Sequence, residues 1–199
     1  NNTESPTFEN TILALENAGS LLSNVATVFS NLNSANTNDS LQSLAKELAP
    51  QLSAHSDEIK LNAKLFERVK SVYTNKDQFG LDAEDQKLLE ETYKSFVRSG
   101  ANLSDENKEK LKKINAEMSV LTTQFGQNLL AETNAYELVV EKEEDLAGLP
   151  EGLKSAAADV AKSKGKEGKW VFTLSNPSVM PFLQYADNRE LRKDIWNAY

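Results

Sequence analysis

Apolar residues recur at steps of three and four along four long stretches of this sequence, and this spacing constrains the fold most strongly. Such steps place the apolar side chains on one face of an α-helix. They predict helices at about 7–33, 38–73, 82–99 and 104–133. Pro50 lies inside the second stretch, where proline lacks the N–H donor and clashes with the preceding turn, so we expect a kink or a break near residues 48–50. Four amphipathic helices with short connections are typical of an antiparallel helical bundle or array.

The pattern changes after residue 134. Residues 135–140 and 169–174 are short and rich in β-prone side chains, and we expect them to pair as a two-stranded antiparallel element. A small helix lies between them, and two further helices are predicted before Tyr199. The sequence therefore predicts a mainly α fold in two regions. Residues 1–134 hold the four helices, and residues 135–199 hold the β element with its helices.

Composition and charge exclude several kinds of site. With no cysteine and one histidine, the chain can hold neither a thiolate metal site nor a His-Glu-x-x-His pair. The histidine, His55, falls in the apolar row of the second predicted helix. We expect it to be a buried, hydrogen-bonded structural residue, and a catalytic role is the alternative. The net charge of −8 disfavours binding to nucleic acid.

The remaining features favour structural interpretations. Residues 162–169 contain lysines and glycines but lack the Gly-x-x-x-x-Gly-Lys-Ser/Thr pattern, so an exposed loop is favoured over a phosphate site. The heptad-like apolar rows suit either packing within the chain, which is the simpler account, or coiled coils between chains. No run of about 18 apolar residues is present, so we expect no membrane-spanning segment.

The most specific motif lies in the last quarter of the chain. A Pro-Phe pair precedes a tyrosine, and Asn-Arg-x-Leu-Arg follows. This text resembles the thimet-oligopeptidase family of zinc metallopeptidases, in particular its peptidyl-dipeptidase branch. Residues 6–12, 48–57 and 61–73 resemble the same branch in the same order. The six family-signature residues are Pro181, Phe182, Tyr185, Asn188, Arg189 and Arg192.

The resemblance implies a longer parent enzyme that hydrolyses oligopeptides at a zinc ion. In that family two histidines and a downstream glutamate bind the zinc, and a glutamate within His-Glu-x-x-His activates water. None of these residues can be assigned here, because the chain lacks the motif. The resemblance thus implies a noncatalytic N-terminal helical portion that binds no zinc itself and forms one wall of the substrate channel. We expect the signature residues to be structural, whereas pairing with carboxylates or lining the channel is the alternative for Arg189 and Arg192.

A second hypothesis comes from a different class of protein. The chain would then be a stand-alone helical interaction module that uses its apolar rows to dock partner helices. A piece of a larger protein should expose apolar surface, so we also expect either an apolar patch or a dimer. The preferred peptide and the compartment, cytoplasm or periplasm, stay open.

Overall fold

The computed structural model describes residues 3–199, and 74% of the chain is helical. The predicted mainly α fold with a small two-stranded antiparallel sheet is confirmed. Contacts between Cα atoms divide the chain into two compact units, one through Gln124 and one from Phe125 to Tyr199. The boundary predicted after residue 134 and the observed boundary after Gln124 lie in the same long helix, Asp105–Ala135.

The N-terminal helical stretch is interrupted rather than continuous. A π-helical turn over Phe8–Leu13 continues as α1 (Ala14–Glu16), and α2 (Ser20–Ala35) begins after a turn. Gly19 makes this turn at φ +78°, in the left-handed region that glycine enters without steric cost. The sequence prediction of one helix over 7–33 was therefore wrong at this point.

The second predicted helix is two helices. They are α3 (Asp39–Lys60), which runs through Pro50, and α4 (Ala63–Thr74). The break lies at residues 61–62 instead of at the proline. There the side chain of Asn62 accepts a hydrogen bond from the N–H of Leu65 at 3.0 Å and so caps α4. The cap signal of Asn62, and not the missing donor of Pro50, decides where the chain turns.

The core of the first unit lies between the N-terminal turn, α4 and α5 (Ala83–Arg98). Phe66 stacks on both Tyr93 and Phe96, with ring centroids 6.0 and 6.1 Å apart. The long helix α6 (Asp105–Ala135) follows. The buried apolar residues of this core are Phe8, Ile12, Phe66, Val69, Val72, Leu89, Phe96 and Ala101.

Arg68 ties the N-terminal segment to α4. Its guanidinium donates to the carbonyl of Glu4 at 2.7 Å, to Oδ1 of Asn10 at 2.8 Å and to Oγ1 of Thr11 at 3.2 Å. Thr11 is buried, so its hydroxyl requires such a partner. The guanidinium therefore fixes three groups that are distant from it in sequence.

In the second unit, β1 (Leu138–Val140) pairs antiparallel with β2 (Trp170–Phe172), and Val139 lies opposite Val171. The helix α7 (Glu151–Ser163) connects them and packs on β2, and α8 (Asn176–Tyr185) and α9 (Arg189–Ala198) complete the unit. The buried core residues are Val140, Leu146, Leu149, Ala157, Phe172, Val179, Phe182, Ala186 and Ile195.

Ion pairs hold the loop before β2 against β1. Glu137 accepts from the ammonium groups of Lys164, at 2.6 Å, and Lys166, and Glu141 pairs with Lys169. Hydrogen bonds from Lys164 and then Lys166 lower the pKa of Glu137 below its ordinary value of 4.5. Three lysines of the predicted exposed loop, Lys164, Lys166 and Lys169, thus have carboxylate partners.

The apolar rows on α3 and α6 do not face inward as their spacing suggests. On α3 the half-buried row is Ala45, Ala49 and Ser53, which leads to buried Asp57, whereas Leu44 and Leu52 are exposed. On α6 the inward residues are polar and small, including Asn115, Ser119 and Thr123, and the heptad-like leucines point outward. Small side chains permit close approach of helices, so apolar spacing alone does not identify the covered face.

Within residues 3–199, Phe8–Ala35 is long and apolar enough to cross a membrane by length and composition alone. The expectation of no such segment was based on uninterrupted apolar runs, and scattered Asn, Ser and Thr interrupt this one. Core helices of soluble proteins and signal sequences also meet this measure, so it leaves the membrane prediction untested.

Candidate functional site

The family-signature residues lie around the turn that joins α8 to α9 in the second unit. Ser175 precedes α8 in an extended conformation, and Pro177 occupies the first turn of the helix, where its missing N–H costs nothing. The helix ends at Ala186, whose ψ of 131° returns the chain to an extended conformation. The turn that follows contains Asp187 and Asn188.

Two of the signature side chains differ sharply in exposure. Phe182 is fully buried and tilts against Phe172 of β2, with ring centroids 4.6 Å apart. Tyr185 is half exposed, at 46%. Pro181 lies in the interior of α8. Phe182 thus joins α8 to the sheet through apolar contact, and Tyr185 presents its ring to solvent.

Asn188 makes hydrogen bonds with both ends of its amide. Its Oδ1 accepts from the N–H groups of Glu190 and Leu191, at 3.1 and 3.2 Å, and so caps α9. Its Nδ2 donates to Oδ1 of Asp145 at 2.8 Å. The asparagine therefore fixes the start of α9 to the segment that follows β1.

Arg192 turns back toward the same turn. Its guanidinium donates to the carbonyl of Ala186 and, at 3.1 Å, to that of Asp187. Arg189 is exposed at the start of α9 and lines an open groove of about 430 Å³ with Leu183, Arg192, Lys193 and Trp196. The contacts of Arg192 are with backbone carbonyls of its own turn, and the role of Arg189 stays a prediction.

Gly148 explains how closely the turn approaches the segment before α7. Its φ is +82°, and a Cβ at this position would overlap the carbonyl oxygen of Tyr185 and lie 2.9 Å from Oδ1 of Asp187. The N–H of Asp187 donates to the carbonyl of Ala147 at 2.9 Å. The sequence of residues 145–150 indicates a turn or a short helical piece. Neither Gly148 nor Asp145 stands out there as a site residue, although a glycine two residues before a proline is a signal for a special backbone conformation.

His55 is exposed on α3, so the prediction of a buried histidine was wrong. The buried polar residue of that helix is Asp57, which accepts a hydrogen bond from Nδ2 of Asn115 at 2.8 Å. Beside this pair lies a groove of about 480 Å³ between α3 and α6, which we call the α3–α6 groove. Its polar lining consists of Ser53, Ser56, Asp57, Asn115, Ser119, Thr122 and Thr123.

The α3–α6 groove combines hydrogen-bonding groups with apolar surface. Hydroxyls, an amide and one carboxylate line it together with Ala49 and Met118, and His55 is not among its lining residues. The cavity of about 910 Å³ in the second unit is lined by Tyr136, whose pKa is raised by burial and by Asp194, and by Glu132, Thr133 and Tyr199. Across residues 3–199, no group of three or more His, Asp or Glu residues is arranged to hold a metal ion.

Comparisons with known proteins identify the relatives of this fold and signature. No family model matches the chain. It is 40% identical over 197 residues to the dipeptidyl carboxypeptidase of Escherichia coli and 39% identical over 198 residues to that of Salmonella typhimurium. It is 33% identical over 193 residues to the oligopeptidase A of Haemophilus influenzae.

These alignments cover 99%, 100% and 97% of this chain, respectively, but the chain spans only 29%, 29% and 28% of the relatives' lengths. Nearly the whole chain thus matches a stretch within these longer peptidases. Its homologues are dipeptidyl carboxypeptidases and oligopeptidases, and the resemblance to the thimet-oligopeptidase family is confirmed.

Proposed function

We propose that this chain is the noncatalytic, N-terminal helical part of a longer zinc peptidase that hydrolyses oligopeptides, and that it forms one wall of the substrate channel. One observation carries the proposal. Nearly the whole chain, 99%, aligns with the E. coli dipeptidyl carboxypeptidase at 40% identity, yet it spans 29% of that relative. Most of such a peptidase lies outside the aligned stretch, and the catalytic residues are assigned there.

The residues of this chain do not fit a zinc site. A catalytic zinc requires three protein ligands and an open position for water or substrate. The chain offers one imidazole and no thiolate, and that imidazole belongs to exposed His55. No suitable group of three ligands exists in the described part of the chain. We therefore assign no step of hydrolysis to these residues.

The α3–α6 groove supports the wall assignment. A surface that contacts peptides of varied sequence benefits from hydrogen-bonding groups, because every peptide has the same backbone donors and acceptors. Hydroxyls from Ser53 and Ser56 on α3 and from Ser119 and Thr122 on α6 line this groove. The signature residues play the structural part, because Asn188 and Arg192 hold the α8–α9 turn.

Cleavage of a blocked oligopeptide tests the catalytic part of the proposal. The purified 199-residue chain with added zinc should give no turnover. The longer polypeptide from the same source gene should cleave the peptide, lose activity with a chelator and regain it with zinc. Chelator-sensitive turnover by the 199-residue chain alone would overturn the noncatalytic assignment.

Filling the α3–α6 groove tests the wall. In the longer polypeptide, Ser53→Arg should raise KM severalfold with little change in kcat, because it obstructs binding and not chemistry. Ser43→Arg is the matched control, because Ser43 is exposed on α3 and does not line the groove. Equal KM values for wild type and both variants would refute the assignment of this groove.

The exposed apolar side chains of α2 and α6 favour a second candidate function, a stand-alone helical interaction module. Reading the source gene past Tyr199 separates the two. A stop codon directly after Tyr199 supports the module, and a downstream His-Glu-x-x-His supports the peptidase.

A further inference from the structure

The helix α2 carries an exposed apolar row. Leu21, Val25, Val28 and Leu32 follow one another at steps of four, three and four and are 78%, 60%, 60% and 54% exposed. We call them the α2 row. None of the 16 residues of α2 is charged, and none is buried. An exposed helix face normally carries charged side chains, so the composition of this face is unusual for a surface that contacts solvent.

The helix α6 carries a second row with the same spacing. Ile114, Met118, Leu121 and Phe125 are 53%, 58%, 55% and 70% exposed, and we call them the α6 row. Among the 31 residues of α6, only Lys108 is buried. The spacing is that of the a and d positions of a heptad, which insert between the side chains of a facing helix.

The first unit has used other faces for its own packing. α3 presents Ala49 and Ser53 to its neighbours, and Asp57 joins it to α6 through Asn115. Most of the two apolar rows is left uncovered by these contacts, and only Val25 and Met118 also line grooves against α3. Two uncovered rows of large apolar side chains exceed the scattered exposure found on ordinary surfaces and mark a surface that another body covers.

We propose that the α2 row and the α6 row are docking surfaces for the remainder of the longer peptidase polypeptide. This inference rests on the proposed function. The length of the relatives indicates the occupant. This chain matches a stretch of the E. coli relative that makes up 29% of that protein. A large body of polypeptide is thus covalently joined to the homologous helices there, and covalent linkage gives an effective concentration in the millimolar range.

Charge disfavours the other occupants. Two copies of a chain with net charge −8 repel each other, and α2 has no lysine or arginine to pair with the acidic groups of a second copy. A membrane surface with anionic lipids also repels an acidic chain, and surface-binding helices usually carry basic side chains beside the apolar face. The remainder of the polypeptide is covalently joined to these helices, so its docking requires no encounter between two separate acidic molecules.

Thiol labelling tests the proposal, because the 199-residue chain has no cysteine of its own. Val28→Cys and Leu121→Cys place one thiol in each row, at residues that line no groove against α3. Ser23→Cys and Lys113→Cys are matched controls, exposed on the same helices but outside the rows. Each variant is made in the 199-residue chain and in the longer polypeptide, and the maleimide labelling rate of the introduced thiol is followed by mass spectrometry.

We expect the row thiols to react at least about tenfold more slowly in the longer polypeptide than in the 199-residue chain, and the control thiols to react equally in both. Equal rates for the row thiols would overturn the docking, even if the longer polypeptide cleaves peptides as proposed. Protection in the 199-residue chain that disappears on dilution would assign the rows to a second copy instead. Protection that requires added anionic vesicles would assign them to a membrane.

Discussion

Replacing Gly148 with alanine should destabilise the second unit far more than the same change at Gly165. Both glycines have positive φ, +82° and +69°, so each alanine bears the left-handed backbone strain. That strain, less the entropy that alanine removes from the unfolded chain, costs about 1 kcal/mol. At Gly165 nothing lies within 4 Å of the added Cβ, so the cost stops there.

At Gly148 the Cβ meets backbone. It would overlap the carbonyl oxygen of Tyr185 and lie 2.9 Å from Oδ1 of Asp187. To relieve this overlap, the α8–α9 turn must move away from Ala147, which breaks the hydrogen bond from the N–H of Asp187 to the carbonyl of Ala147. Loss of this hydrogen bond costs about 1 kcal/mol, and the lost packing contacts of the turn add to that cost. We therefore expect a total of about 3 kcal/mol for Gly148→Ala.

Urea unfolding followed by tryptophan fluorescence measures this difference. Both tryptophans, Trp170 and Trp196, lie in the second unit, so their emission follows that unit. The midpoint should fall for both variants and about three times further for Gly148→Ala, at an unchanged slope. Free energies of unfolding that agree within about 0.5 kcal/mol for the two variants would refute the close approach as the reason for glycine at residue 148.

Other changes test the core, the ion pairs and the corrected position of the histidine. Phe182→Ala removes a fully buried ring and should cost about 3–5 kcal/mol by the same fluorescence assay, whereas Met180→Ala, at 46% exposure, should cost less than about 1 kcal/mol. Glu137 has a lowered pKa, so the stability it contributes is present above its ordinary pKa of 4.5 and is lost as pH falls through the lower folded-state value. Glu137→Gln should therefore lower the urea midpoint at pH 7 and match wild type at the acid end of a pH series; a constant difference would contradict this account. His55→Ala should change the free energy of unfolding by less than about 0.5 kcal/mol, because the side chain is exposed; a cost above 2 kcal/mol would contradict that placement.

The sequence predicted the fold where local signals and tertiary packing agree. The β-prone stretches 135–140 and 169–174 contain β1 and β2, because β-branched and aromatic side chains suit a pleated strand. Asn62 was missed because Pro50 is the stronger local breaker, yet tertiary contacts tolerate a proline inside α3. Residue types such as proline and asparagine indicate where a helix can break, but they do not show how the helices on either side pack.

The faces of the helices could not be predicted from spacing. The row through Leu52 and His55 has the more regular apolar periodicity, but the covered row passes through Ser53 and Asp57. Which row is inward depends on the hydrogen bond from Asn115, a residue of a distant helix. For the signature, the motif indicated Asn188 and Arg192, whereas their acceptors at Asp145 and Asp187 follow from the tertiary fold.

The contacts of Arg68 have a consequence for folding during synthesis. Residues 4–12 leave the ribosome before the groups that hold them, because Arg68 and the ring of Phe66 follow more than fifty residues later, and Phe96 later still. Phe8 and Ile12 therefore emerge without their native neighbours, and exposed apolar segments of this kind are where chaperones act during synthesis. This segment is therefore made before the residues that hold it in place.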